Sequence, residues 1–158
     1  MKLAHCTSGA LFVEHLIAFA PVMYFFLATW QLIELCATDL IVRRAANAAV
    51  RAAAVVLPDD PNSFGRDNGI NTYAGLRRDY VQRAAELVLL AAGNVEDNVT
   101  VDVSGTFSEH NLITVEVTAR FRCTAAWLNI VCGGQPTRAL TARSTYVYQG
   151  ARFDYDSI

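Results

Sequence analysis

The sequence predicts an α+β protein. A long N-terminal helix, half of it transmembrane, continues into a domain with a second helix and a small antiparallel sheet. Three observations predict this. Residues 16–33 form an apolar run without formal charge. Residues 45–54 carry the run onward as an alanine-rich stretch, and alanine is the strongest helix former. Beyond residue 98 the pattern changes to alternation of apolar and polar residues, the period of strands with one buried and one wet face.

The first helix is expected over 10–57, about 70 Å at the standard rise. Its membrane half is expected at 15–36. The uncharged part alone supplies roughly 27 Å, just enough to cross the hydrocarbon of a bilayer. Pro21 removes one backbone hydrogen bond and is expected to bend or loosen the helix. Ala45, Ala46, Ala48, Ala49, Ala52, Ala53 and Ala54 let other elements approach closely, either neighbouring chains or the chain's own sheet. Pro58-Asp-Asp-Pro61 ends the helix, and 62–69 reads as loop from its turn residues. A second helix is expected from Tyr73 to Ala92. Leu76, Tyr80, Val81, Ala84, Leu87, Val88 and Ala91 recur on one side at helical spacing. Arg77, Arg78, Gln82, Arg83 and Glu86 fall on the other, with Arg77-Arg78 on a solvated face. Gly93 is a natural stop.

Val99, Val101 and Val103 then face one way, with Thr100 and Asp102 opposite. Ile113, Val115, Val117, Ala119 and Phe121 alternate with Thr114, Glu116, Thr118, Arg120 and Arg122. Leu140 to Tyr148 is the third run. The buried side of this sheet is expected to pack on the alanine-rich half of the first helix and on the second helix. Between the second and third runs, Trp127-Leu-Asn-Ile-Val-Cys132 is apolar and closes on Gly133-Gly134. It reads equally as a contact patch or as a loop tucked under the sheet. Cys123 and Cys132 could close a disulfide loop, which requires an oxidising compartment. The alternative is two unpaired thiols. Cys36 reads as a small apolar residue of the helix.

The first 34 residues carry the strongest functional signal. Glu14 stands at the mouth of the apolar run, where a charge at bilayer depth costs up to roughly 2.5–3.5 kcal/mol and less near the interface. A cut after Gly9 would place a new amino group on Ala10, one helical turn from that carboxylate. Glycine at the cut with glutamate five residues on resembles the arrangement of type IV prepilins. The stretch Gly9-Ala-Leu-Phe-Val-Glu14, Pro21, Gln31-Leu-Ile-Glu34 and the alanine-rich Ala45–Ala54 together resemble the TadE-like family, minor pilins or pseudopilins of the tight-adherence (Flp-type) pilus system. The likeness covers about residues 9–56. His15 after Glu14 and a Pro21 placed about one residue late depart from the pattern.

The resemblance implies a pilin-like build: a leader over 1–9, a long helix over 10–57 and an extracytoplasmic domain over 58–158. It implies a processing site at Gly9 and Ala10, and assembly roles for Glu14, Pro21 and Glu34. The implied partners are a prepilin peptidase, inner-membrane platform proteins, other minor or major pilins, and the membrane. The implied location is the bacterial inner membrane, single-pass, with the domain in the periplasm, possible incorporation into an extracellular pilus, and a role in adhesion or secretion. The alternative is an uncleaved single-pass membrane protein whose outer domain binds a partner in a secretion complex. Charge alone leaves orientation divided: Lys2 favours a cytoplasmic N-terminus, while Arg43, Arg44 and Arg51 follow the apolar run. The leader and the partial offset by Asp39 decide for a cytoplasmic N-terminus.

Other signals are weaker. Ala18-Phe-Ala20 has the form of a signal-peptidase site, but Pro21 would follow the cut. Leu3-Ala-His-Cys6 lacks the apolar segment that precedes a lipoprotein cysteine. The net charge of −2 and the lack of a basic tract give nucleic-acid binding no electrostatic support. No phosphate-cradling glycine loop and no metal-spaced His/Cys set appears. His5 leaves with the leader, His15 borders the membrane, and His110 reads as a turn residue. Ser104-Gly-Thr lacks the glycines of a nucleophile elbow. Asn98-Val-Thr100 matches a glycosylation sequon by chance. The expectation is a non-enzyme without cofactor or metal.

Overall fold

The computed structural model describes residues 8–64, 70–96, 98–107, 110–123, 131–148 and 150, with backbone alone for 8–11 and 61. Helix α1 spans Ser8–Val56, 49 residues, and runs through Pro21. A 3-10 turn at Pro61–Ser63 follows, then helix α2 over Gly75–Leu89. Three strands complete the architecture: β1 (Thr100–Gly105), β2 (Leu112–Arg122) and β3 (Thr137–Val147). They form an antiparallel meander in the order β1-β2-β3. This is an α+β fold, with α1 and α2 laid on one face of a three-stranded sheet.

The core sits where the alanine-rich half of α1 meets its two partners. Ala45, Ala46, Ala49 and Ala53 are fully buried, flanked by Val42, Val50 and Leu57. Their lack of bulk lets α2 pack on one flank of α1 while β2 and β3 pack on another. The sheet answers with larger side chains. Ile113, Val115, Val117, Ala119 and Phe121 of β2 all point inward, joined by Val101 of β1 and by Leu140 and Ala142 of β3. The outer face is polar. Thr118 pairs with Thr141 across the strands, their hydroxyls 3.1 Å apart, and Arg143 donates to Glu116 at 2.7 Å. At the end of β1, Gly105 adopts φ +134°, and a Cβ there would lie 2.7 Å from the Leu112 carbonyl oxygen. Only glycine lets the chain leave β1 that close to β2.

Helix α2 turns a different face inward than its large apolar residues suggest. The buried stripe is Arg77, Val81, Ala85 and Leu89, whereas Leu76, Tyr80 and Leu87 are exposed. Arg77 is therefore not on a solvated face; it is fully buried. One guanidinium nitrogen donates to the Asp59 carbonyl at 2.7 Å, and the group lies 5.3 Å over the ring of Phe64. A cation over an aromatic face is attracted by the ring quadrupole. The side chain thus ties α2 to the turn that ends α1. The reason for the rotated face is steric: a stripe centred on Val81 and Ala85 fits close against the alanines of α1, and one centred on Tyr80 and Leu87 would not.

Tyr148 gathers the same end of the molecule. Its hydroxyl donates to the Asn71 side chain. Its backbone N–H donates to Asn111 at 2.8 Å, and its carbonyl accepts from His110 at 3.1 Å. Asn71 and His110 both take left-handed backbone angles, φ 64° and 65°, and the Asn71 N–H donates to the carbonyl of Leu57 at 3.0 Å. Tyr73 donates its hydroxyl to the Val101 carbonyl at 3.1 Å. Burial raises the pKa of Tyr73 and Tyr148 above the usual tyrosine value, with Arg78 and Arg77 respectively opposing the shift.

Two outcomes are expected. Arg77→Ala should destabilise the domain by about 2–4 kcal/mol through the lost stem and an orphaned carbonyl, whereas exposed Arg83→Ala should stay within about 0.5 kcal/mol. Chemical denaturation in detergent measures both, and equal effects would refute the role given to Arg77. The raised tyrosine values contribute stability that is complete below the unfolded value near 10. It is lost as pH rises through the folded values. Tyr148→Phe should cost about 1 kcal/mol at neutral pH and flatten the alkaline decline.

Candidate functional site

From Phe12 to Trp30 no side chain of α1 is buried. Phe25 is 74% exposed and Ile17 70%. Such a surface is costly in water and natural in lipid. By length and composition the helix is able to cross a membrane. Two hydroxyls, one on this stretch and one just beyond it, are satisfied within the helix itself. Thr29 donates to the Phe25 carbonyl and Thr38 to that of Glu34, each at 2.8 Å.

The expected site residues occupy different levels of this rod. The Gly9–Ala10 bond lies at its very start, since α1 begins at Ser8. There the first backbone N–H groups have no helical acceptor, so this bond opens with less loss than one deeper in the helix. Glu14 is exposed one turn further on, and Pro21 is exposed within an unbroken helix. Glu34 is half-buried and accepts from the Trp30 indole N–H at 2.9 Å. It stands about 30 Å along the axis from Glu14, so the two carboxylates act at separate places.

Cys123 and Cys132 are joined as a disulfide, their Cα atoms 6.7 Å apart. Of the apolar segment before Cys132, residues 127–130 lie outside the described residues; Val131 is half-buried and Cys132 buried. Cys132 rests on α1, where the Gln31 side-chain amide reaches its sulfur at 3.9 Å. Gln31 is only 2% exposed, and its side-chain carbonyl oxygen has no partner among the described residues. The domain therefore reaches down α1 to Gln31, inside the stretch expected to lie in the membrane. Gln31 and Trp30 had no structural role in the sequence reading. The available signal was a stripe: Gln31, Leu35, Thr38 and Val42 follow helical spacing into the buried alanines. Cys36 is exposed and unpaired. Among the described residues no three His, Cys, Asp or Glu side chains converge to hold a metal ion.

A buried carbonyl without a donor costs about 1–3 kcal/mol. Gln31→Leu, of similar volume, should therefore stabilise the isolated chain by roughly 1 kcal/mol, read by thermal or chemical denaturation. A loss of stability would show that Gln31 holds the disulfide edge in place through its amide.

Compared with protein-family models, with curated proteins and with solved structures, the chain has no match in any of the three.

Proposed function

We propose that the chain is a minor pilin or pseudopilin of a tight-adherence-type pilus or a related secretion apparatus. In this reading a prepilin peptidase cuts it after Gly9, α1 holds it in the bacterial inner membrane, and its domain lies in the periplasm. It acts by packing against other pilins and platform proteins and carries no catalytic centre. The observation that carries the reading is the single helix α1. Its first part is bare and apolar, with Glu14 near the start, and its second part is the spine of a small α+β domain. A helix that serves as anchor and core at once suits a subunit transferred whole from bilayer to filament, because the bare part exchanges lipid for neighbouring helices without unfolding the rest. The disulfide supports an oxidising compartment for the domain.

The mechanism rests on Glu14. Once Ala10 is the first residue, its ammonium and the Glu14 carboxylate of the same or an adjacent chain neutralise each other where the dielectric is low and charge pairing is strong. That pairing sets the axial register between helices. The second reading, an uncleaved single-pass anchor, leaves Glu14 without a partner.

Intact mass of membrane-derived protein should place Ala10 first, and a bulky substitution at Gly9 should block the cut. Glu14→Ala should leave insertion and the folded domain intact, since removing a charge eases insertion, but abolish co-purification with the pilus machinery. Glu14→Asp should be partly defective and Glu34→Ala milder. Retention of Met1 together with normal assembly of Glu14→Ala would leave the plain anchor standing.

A further inference from the structure

Helix α2 carries a second apolar stripe that the core does not use. Leu76, Tyr80, Leu87 and Leu90 are exposed, Leu87 by 70% and Leu90 by 77%. With Arg83 they recur at alternating intervals of four and three residues, the spacing of a seam between packed helices. Helix α1 carries a stripe of matching spacing on the side that neither α2 nor the sheet covers. It consists of Leu40, Arg44, Asn47, Arg51 and Val55, all exposed. Single exposed apolar residues are ordinary, but a row of them at packing intervals marks a contact surface.

The two stripes differ in charge. Around that of α1 stand Arg43, Arg44 and Arg51, against one acid, Asp39, which Arg43 holds at 2.9 Å. Arg138 of β3 borders the same side, in one groove with Asp39 and Arg43. Around the stripe of α2 stand Asp79 and Glu86, against one base, Arg83. Glu96 lines a groove with Glu86 at the end of α2, and Arg78 falls on the other flank, beside Tyr73. The α1 side is therefore net basic and the α2 side net acidic. Arg44, Arg51 and Asp79 have no ion-pair partner among the described residues, and Glu86 accepts from Gln82 at 2.9 Å. Arg44 and Arg51 are seven residues apart, and so are Asp79 and Glu86. Both pairs therefore span about 10.5 Å of helix.

We propose that the outer face of α2 docks on the outer face of α1 in a second copy of this chain. Within one chain α2 begins beside the end of α1, where Arg77 reaches Asp59 and Asn71 reaches Leu57, and packs back along it. Two copies whose α1 helices stand parallel in one bilayer therefore set α2 antiparallel to the neighbouring α1. In that alignment Leu90 meets the partner's Leu40, and Leu76 meets the partner's Val55. Between these ends the stems of the partner's Arg44 and the partner's Arg51 lie on Leu87 and Tyr80. Their guanidinium groups reach Glu86 and Asp79, and Arg83 faces the partner's Asn47. Like faces do not pair. Two α2 faces would set Arg83 on Arg83 and Asp79 on Glu86, and two α1 faces would oppose their arginines. Charge thus selects the crosswise contact. Each copy offers both faces, so copies add one after another in a row. The antiparallel sense rests on the membrane-spanning part of the proposed function, and nothing in the contact rests on cleavage.

The test uses the full chain in phosphatidylcholine vesicles, with Cys6→Ser and Cys36→Ser so that only added thiols cross-link. A protein carrying Leu40→Cys is mixed with one carrying Leu90→Cys and oxidised with copper phenanthroline. The mixture should give a cross-linked dimer, and neither protein alone should. Asp79→Arg with Glu86→Arg in the Leu90→Cys protein should lower the cross-linked fraction about tenfold or more. Arg44→Glu with Arg51→Glu in the Leu40→Cys protein should restore it against that reversed partner. Near-UV dichroism should stay native throughout, because the substituted side chains lie outside the core. Cross-linking of Leu90→Cys with itself would identify a like-on-like contact and overturn the proposal. Cross-linking of Leu40→Cys with Leu76→Cys in place of Leu90→Cys would overturn the alignment. A dimer indifferent to charge reversal, or no dimer in vesicles with which the chain floats, would refute the contact and leave the span standing. A chain that does not float with the vesicles would remove the span and the contact together.

Discussion

Everything in this molecule depends on the close approach that alanine permits along the second half of α1. Ala45, Ala46, Ala49 and Ala53 are fully buried between a helix and a sheet. A residue the size of leucine at any of them would force strain of about 1–3 kcal/mol. Because the helix can be touched on two sides at short range, a domain of three strands and two helices closes a core around it. The partners supply the bulk that α1 lacks: Phe121, Ile113 and Val115 from the sheet, Val81 and Leu89 from α2. Alanine thus does two things at once, raising helix propensity and setting the interaxial distance.

Along the same helix the first buried side chain among the described residues is Gln31, next to an exposed Trp30. Thr29 below this level and Thr38 above it both bond back to their own helix. Glu34 accepts the indole N–H of Trp30 one turn below, and Gln31 leaves its side-chain carbonyl oxygen unpaired against a disulfide. An unpaired carbonyl there is consistent with a site held for specificity of fit more than for stability.

The opposite end of the domain is held by polar groups rather than by bulk. Arg77, Asn71 and Tyr148 come from three separate segments and satisfy the carbonyls and side chains where α1 stops. Buried networks of this kind specify one arrangement when each member has a partner. The end at Gln31 and this end therefore differ in chemistry, with a disulfide at one and a hydrogen-bonded cluster at the other.

Periodicity by itself determined the strands and helices. The inward set of β2, from Ile113 to Phe121, follows from alternation alone, since a one-residue slip would expose every member. The long helix follows from an apolar run that passes, through a few charged residues, into an alanine-rich stretch ending at Pro58. The pair Gly9 and Glu14 is legible because a carboxylate in an apolar run demands a partner. Tertiary structure alone decided which side of α2 faces in. Its sequence offers a stripe through Leu76, Tyr80 and Leu87 and another through Arg77, Val81 and Ala85, and burying the second exposes the larger residues. Hydrophobicity favours the first stripe. Shape against the alanines of α1, with a carbonyl and an aromatic ring ready for the arginine, favours the second. Likewise the seat of Cys132 on Gln31 joins residues 101 apart, and no local pattern encodes a contact made only when the sheet closes over the helix.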